Sequence, residues 1–250
     1  MQRDSDYTVA RDPNDLWDFH AVAESAARKT VRRLSGRKMS TSKVPVIFHA
    51  DLARGLWRQL FNAISGSAIY RQASFLSGKL NQQILPDFVT LTQQPHLPKG
   101  LGSVPFDDEG VATEDRQFVA AGVLRSYLMG SYSARKLGLR STGNAGGLQN
   151  ILVCHSDQDL ATLCKTMGTG FLITELMGQG VNLVTGDYSR GAFGFWVENG
   201  EIQYPVEGVT LAGNLADMLL NLVAVGNDID TRGTIQTGSI LLHEMTLAGQ

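Results

Sequence analysis

The chain has 250 residues, 22 basic and 24 acidic side chains, a net charge of −2 and 43% hydrophobic residues. A chain of this size buries roughly 70 to 75% of its unfolded surface without disulfide or metal cross-links. This composition excludes a disordered chain, and the near-neutral charge argues against a global field that recruits nucleic acid or anionic lipid. No apolar run approaches the roughly 20 residues of a membrane-spanning helix.

The N-terminal residues and the number of cysteines indicate the cellular compartment in which the protein is expected. Residues 1–19 carry charges where a signal peptide needs an apolar core, so no export signal is predicted. Cys154 and Cys164 are too few for a disulfide framework, and a reducing cytoplasm is expected. Residues 7–10 are predicted as a strand-like piece whose partner lies elsewhere, so the chain is expected to begin within a larger protein.

The first half of the chain predicts two helices and a long irregular segment. Residues 21–34 are rich in helix formers with a polar face, which is typical of a surface helix. Residues 44–48 predict a strand, and residues 51–65 predict a helix with one apolar stripe. Residues 82–111 hold four prolines and predict extended or looped structure, which often lines sites or interfaces.

The middle of the chain alternates short strands and helices. Residues 117–128 predict a strand, a turn and a second strand, and residues 131–137 predict a helix that ends at Gly138. A glycine-rich loop then leads to a predicted strand over residues 151–154. Residues 156–167 predict a capped helix that ends at Gly168, with both cysteines packed in the core rather than reactive.

The last third of the chain contains the clearest local pattern. Asn199-Gly200 supplies the two positive φ angles of a type I′ turn, so residues 192–206 predict a hairpin. Asn214 is predicted to cap a helix that reaches Val223, and residues 239–247 predict a final strand. About four helices among about ten short strands, without βαβ alternation, predict an α+β fold with a mostly antiparallel, glycine-rich sheet or barrel-like core.

The common catalytic motifs are absent from the sequence. It contains no P-loop, GxGxxG or GxSxG, and two SxxK matches are near the number expected by chance. His243-Glu244 begins a zinc-protease motif but has Leu247 where the second histidine belongs, in a predicted strand. His155, with its neighbouring cysteines, matches no zinc spacing. A metal site around His49, His155 or His243 is the alternative that keeps catalysis in this chain.

Several longer runs carry a resemblance to a known family. They are SYSARKLGLRSTGNAGG, MGTGFLITELMGQGV, TGDYSRGAFGFWVENGEIQYPVEGVTLAGNL and VGNDIDTRGTIQTGSILL. They resemble the TldD/PmbA peptidase family, and within it the PmbA or TldE type of subunit, across essentially the whole chain. The resemblance implies that residues 1–250 are a single C-terminal domain and that the family's N-terminal domain is absent from this chain.

The resemblance also places the family's metalloprotease motif on this sequence. In the family, the TldD subunit carries an HExxxH motif and a later cysteine ligand. His49 lies at the first histidine, Ala50 at the glutamate, Arg54 at the second histidine and Thr237 at the cysteine. A catalytic zinc needs three protein ligands and a nearby base, and here one imidazole remains, which we expect to be a helix-start or interface histidine. The resemblance therefore implies no catalytic residue and no metal in this chain, and zinc in a TldD-like partner.

The sequence around the hairpin suggests peptide binding. Tyr188, Ser189, Arg190, Phe195 and Trp196 lie in a glycine-rich strand region that could accept an extended peptide as an added strand, with Arg190 offered to carboxylates. In the alternative interpretation Phe195 packs in the core and Tyr188 is scaffold. The resemblance favours binding, because the family's complex is thought to enclose unfolded peptides between its subunits.

Three functions are therefore compared. The first is a non-catalytic subunit of a cytoplasmic TldD/PmbA-type complex that trims or degrades peptides, in a heterodimer or higher assembly. The second is a metallopeptidase with its own metal site. The third is a modulator that binds an unrelated protein, as the family's older description, modulator of DNA gyrase, suggests. We expect residues 86–105 to contribute to an apolar subunit interface, the isolated chain to self-associate, and neither nucleic acid nor membrane to be a partner.

Overall fold

The computed structural model describes residues 1–249. After a 3₁₀ turn at Pro13–Asp15, the helices are α1 (Phe19–Arg32), α2 (Ala50–Ala63), α3 (Gly66–Tyr70), α4 (Ser131–Leu137), α5 (Leu160–Met167) and α6 (Leu215–Leu220). The strands are β1 (Ser42–Phe48), β2 (Leu91–Gln93), β3 (Arg116–Ala120), β4 (Val123–Leu124), β5 (Ile151–Val153), β6 (Gly170–Met177), β7 (Asp187–Glu198), β8 (Glu201–Asn214), β9 (Leu222–Val225), β10 (Ile235–Gln236) and β11 (Ile240–Ala248). Within this part of the chain, no helix has the length and apolarity to cross a membrane.

Five strands close into a barrel. β1 pairs in parallel with β6 on one edge and antiparallel with β11 on the other. Antiparallel pairs β6–β7, β7–β8 and β8–β11 complete the ring, and β9 adds to β11. A second sheet has the order β10-β5-β2-β3-β4. This architecture confirms the predicted α+β class with a mostly antiparallel, barrel-like core.

The barrel wall is buried on both faces. On β1, Val46 and Phe48 belong to the main hydrophobic core, whereas Ile47 between them belongs to a second core. On β6, Phe171 and Leu172 divide between the two cores in the same way. Because successive strand residues point to opposite faces, one side of the wall packs on α2 and the second sheet, and the other side packs on α5.

Helix α2 is the central helix of the main core. Its apolar positions recur at helical spacing, so one side of the helix is buried, and the helix predicted over residues 51–65 is confirmed. Trp57 is fully buried on this side, with Leu56 and Leu60 beside it. The helix begins directly after β1, so the end of a barrel strand fixes where its first turn lies.

The predicted hairpin is confirmed. Asn199 and Gly200 have φ of 53° and 78°, and they join β7 to β8. Both strands are longer than predicted, because β7 begins at Asp187 and β8 continues to Asn214. The hairpin therefore forms two of the five barrel strands rather than a surface ribbon.

Several element predictions are wrong in detail. Residues 222–223 lie in strand β9 and not in the helix capped by Asn214, which ends at Leu220. Residues 7–10 are not in a strand, and the extended segment that contains them is held by side-chain contacts instead. The described residues contain six α-helices, more than the approximate total of four, and α3 is the one that matches no predicted segment. Residues 82–111 are irregular as predicted, apart from β2.

Substitution of the hairpin glycine is expected to destabilise the fold for two separable reasons. A Cβ at Gly200 would lie 2.8 Å from the Lys165 Cα of α5, and the residue has positive φ. Gly208 also has positive φ, 70°, but no atom lies within 4 Å of its added Cβ. We expect Gly208→Val to cost about 1 to 2 kcal/mol through backbone strain alone, and Gly200→Val to cost more. Urea unfolding of both variants tests this, and equal losses of stability would contradict it.

Candidate functional site

The position of the family's first histidine lies where β1 meets α2. His49 is the N-cap residue of α2, with φ −57° and ψ 149°, and its side chain makes no capping hydrogen bond. Its Nδ1 lies 2.6 Å from Oδ1 of Asp51, and its side chain is 32% exposed. His49 is thus a helix-start histidine that is paired with a carboxylate in the first turn.

The pairing changes the protonation of both groups. Burial alone would lower the pKa of His49, but the hydrogen bond with Asp51 and the negative charges of Asp51 and Asp228 outweigh this effect and raise it. Burial alone would raise the pKa of Asp51, but the contact with His49 and the charge of Lys29 lower it below its ordinary value. The carboxylate is therefore the acceptor, and the Nδ1–H of His49 donates to it.

Ala50 and Arg54 are the residues that the sequence resemblance aligns with the motif's glutamate and second histidine. Ala50 places a buried methyl in the first turn of α2. The Nη1–H of Arg54 donates to the carbonyl oxygen of Arg232 at 3.1 Å, and its guanidinium carbon lies 5.9 Å from the centre of the Tyr7 ring. Arg54 therefore joins α2 to the loop that precedes β10.

Thr237, at the position of the family's cysteine, is fully buried. Its hydroxyl oxygen accepts a hydrogen bond from the indole Nε1–H of Trp57 at 3.0 Å, and the hydroxyl donates to the carbonyl oxygen of Gly238 at 3.1 Å. The hydroxyl thus holds α2 against the segment between β10 and β11 as an acceptor, and it donates within that segment.

The residues present do not fit the zinc ion that the family implies. Residues 1–249 contain no group of three His, Cys, Asp or Glu side chains that could hold a metal ion. His155 is exposed, with Nδ1 2.9 Å from the carbonyl oxygen of Ser156. His243 is an exposed residue of β11, next to Glu244, which pairs with Lys43.

An extended N-terminal segment, residues 1–17, lies beside these positions. The Asp6 side chain is 4% exposed and contacts Nη1 of Arg232 at 2.6 Å, Nζ of Lys29 at 3.1 Å and the hydroxyl of Ser25 at 2.6 Å. Burial alone would raise the pKa of Asp6, but these hydrogen bonds lower it well below its ordinary range. Tyr7 stacks on the Arg232 guanidinium at 4.8 Å. No sequence pattern indicated the contacts of Asp6 and Tyr7 with Arg232, because these partners lie more than 200 residues apart.

A small cavity of about 110 Å³, the His49 cavity, opens between α1, the start of α2 and the barrel wall. It is lined by Asp4, Lys29, Arg32, Arg33, His49, Asp51, Leu160, Leu172, Thr174, Phe195 and Ile202. Its basic side chains were not predicted as site residues, because they lie on α1, whose sequence is typical of a polar surface helix. The basic run at the end of α1 was the one available indication.

The predicted peptide-binding residues all lie on β7, but they do not form one surface. Tyr188 belongs to the main core and Phe195 to the second core, and burial raises the pKa of Tyr188 to about 12. Ser189 is exposed, while Arg190 and Trp196 are partly buried. Only Phe195 lines the His49 cavity.

A peptide cannot add to β7 as an extra strand, because both edges of β7 are already paired. β8 covers one edge of β7 along its whole length, and β6 covers residues 191–197 of the other edge. The remaining edge is covered by the segment before β7, where the Ser189 N–H donates to the carbonyl oxygen of Gly180 at 2.6 Å. The prediction of an added strand at this position was therefore wrong, and peptide binding by other means stays a prediction.

Comparisons with known proteins agree with the sequence resemblance. A profile of the PmbA/TldA metallopeptidase C-terminal domain matches residues 41–249. The chain is 55% identical over 250 residues to Metalloprotease PmbA of Escherichia coli O157:H7. The matched region covers 100% of this chain and 56% of that protein. The chain thus spans about half the length of the curated relatives that it matches.

Solved structures share the fold. A Bacteroides thetaiotaomicron protein described as a candidate modulator of DNA gyrase superposes with a TM-score of 0.91 and 32% identity, over 96% of this chain and 55% of that one. TldE from Thermococcus kodakarensis superposes with a TM-score of 0.82 and 26% identity, over 96% of this chain and 57% of that one.

The His49–Asp51 pair predicts a pH-dependent contribution to stability. Because the folded pKa of His49 is raised above 6.5, the contribution should be fully present below pH 6.5 and disappear as pH rises through the folded pKa. Because the folded pKa of Asp51 is lowered below 3.8, it should also disappear as pH falls through that pKa. We expect His49→Gln to cost about 1 to 2 kcal/mol near pH 5 and less above pH 8.

Urea unfolding between pH 3 and pH 9 measures this difference. His155→Gln is the control, since His155 is exposed and makes no contact with a carboxylate among the described residues. A loss of stability in His49→Gln that is the same at pH 5 and pH 9 would rule out the ion pair as its cause.

Proposed function

Because the chain belongs to the PmbA/TldD metallopeptidase family, we propose that it is the non-catalytic subunit of a metallopeptidase complex whose zinc is bound by a TldD-like partner. The complex would act in the cytoplasm, on peptides enclosed between the two kinds of subunit, in their trimming or maturation. Family membership alone does not assign this role, because the chain spans only about half the length of its curated relatives.

The observation that carries the proposal is the structural use of the motif positions. The guanidinium of Arg54 and the hydroxyl of Thr237 are committed to hydrogen bonds with Arg232, Trp57 and Gly238. A catalytic zinc needs three ligands and an open position for water. A cation and an alcohol that already link α2 to the segment around β10 cannot supply them without loss of those links.

A role for the chain beside a catalytic partner requires a pairing surface. Residues 86–105 are expected to contribute to it, and in this region Phe88 is 47% exposed and Val104 is 37% exposed. Phe106, next to the segment, is 60% exposed. Exposed aromatic side chains of this kind are enriched in the centres of protein interfaces. An obligate subunit interface would bury more than about 2,000 Å².

We expect the purified chain alone to retain no stoichiometric zinc and to hydrolyse no peptide. Elemental analysis after dialysis without chelator measures the zinc, and a quenched fluorescent peptide library measures hydrolysis. One tightly bound zinc per chain, with hydrolysis lost on chelation and regained on zinc addition, would favour the alternative in which this chain has its own metal site.

We also expect the chain to assemble with a TldD-like subunit and to increase its peptide hydrolysis. Light scattering and hydrolysis are measured together, with the full-length Escherichia coli relative as positive control for the assay. Phe88→Asp should weaken assembly at least tenfold, whereas Val184→Asp, at a residue 57% exposed outside the segment, should not. If the positive control assembles and the chain does not, the proposed function is wrong for this chain.

A further inference from the structure

The His49 cavity combines a basic rim with an apolar floor. From this combination we infer that it binds the free C-terminal carboxylate of a peptide whose last side chain is aliphatic. The identification of the ligand as a peptide rests on the proposed function, whereas the preference for a carboxylate beside an apolar group rests on the cavity itself.

The charges around the cavity favour an anion. Three basic and two acidic side chains line it besides His49, so its net charge is +1 with neutral His49 and +2 with protonated His49. Most of these charges are already paired. Lys29 lies 3.1 Å from Asp6, and Arg33 pairs with Asp4 at 3.2 Å and with Glu175.

Arg32 is the exception among the basic side chains. It has no hydrogen-bonded or ion-paired partner in residues 1–249, and its guanidinium carbon lies 4.8 Å from the centre of the Phe195 ring. This cation–π contact holds the guanidinium at the cavity without using its N–H groups. Two parallel N–H donors of a guanidinium match the two oxygens of a carboxylate.

Protonated His49 offers a second donor to the same ligand. Its Nδ1–H is used by Asp51, which leaves the Nε2–H of the imidazolium for a ligand in the cavity. The imidazole lies at the end of β1 and the guanidinium near the end of α1, so the two donors come from different elements that border one cavity. A carboxylate held by both would be fixed in position and orientation.

The floor of the cavity selects the group attached to that carboxylate. Leu160, Leu172 and Ile202 line it together with the Phe195 ring. This apolar surface beside the basic rim suits an aliphatic side chain on the residue that carries the carboxylate.

Binding to the isolated 250-residue chain tests the inference without the partner subunit. Four probes are titrated by calorimetry: N-acetyl-Ala-Ala-Leu with a free carboxylate, the same peptide as its C-terminal amide, N-acetyl-Ala-Glu-Leu amide, and N-acetyl-leucine. We expect the free acid peptide to bind at least about tenfold more tightly than either amide, because a charge-assisted hydrogen bond is lost in the amides.

Variants locate the site. Arg32→Gln should weaken the binding of the free acid peptide by about tenfold or more. Arg28→Gln is the matched control, since Arg28 is an exposed residue of the same helix that does not line the cavity, and it should bind as the unmodified chain does. Leu160→Trp should abolish binding by filling the floor, with circular dichroism used to confirm that the fold is intact.

Several results would overturn the inference. Equal binding of the acid and the amide would exclude carboxylate recognition, and equal effects of Arg32→Gln and Arg28→Gln would place binding elsewhere. Tighter binding of N-acetyl-Ala-Glu-Leu amide would assign the site to side-chain carboxylates. N-acetyl-leucine binding more than tenfold tighter than the peptide would assign it to small free acids. Absence of binding with successful subunit assembly would reject this inference alone, and binding without assembly would reject the proposed function alone.

Discussion

The closure of the barrel by β1 is the constraint on which the other features depend. Because β1 pairs with β6 on one edge and with β11 on the other, the position of its last residue, Phe48, is fixed by two neighbouring strands. His49 follows at once as the N-cap of α2, so the candidate site follows directly from a strand end that is paired on both edges. The fully buried Trp57 then ties α2 to Thr237, shortly before β11. The end of β1 and the Trp57–Thr237 hydrogen bond together fix the position of α2.

Two hydrogen bonds link α2 to the segments on either side of β10 in this chain. The hydroxyl of Thr237 accepts from Trp57, and Arg54 donates to the backbone of the loop before β10. A buried hydrogen bond that is broken on one side costs about 1 to 3 kcal/mol. Metal ligands in place of Arg54 and Thr237 would therefore require new partners for Trp57 and for the carbonyl oxygen of Arg232.

Local sequence patterns predicted the elements whose ends are set by local chemistry. The turn at Asn199 and Gly200 and the helix that ends at Gly138 were predicted because positive φ at these residues is a property of a few neighbouring positions. Residues 222–223 were assigned to a helix because a short apolar run fits either period, and only pairing with β11 makes it a strand. Barrel closure, the burial of Asp6 against Arg232 and the His49 cavity depend on contacts between distant segments, which no local pattern encodes. The motif positions were reached through the family resemblance, and the basic rim of the cavity was missed.

The central claim is that this chain serves a metallopeptidase without binding the metal. Native mass spectrometry of the assembled complex, followed by gas-phase release of single subunits, measures the zinc content of each kind of subunit directly. The account predicts one zinc ion on each TldD-like subunit and none on this chain, both before and after addition of excess zinc. Zinc that leaves with this chain at a ratio of one to one, and that is lost on His49→Gln, would contradict it.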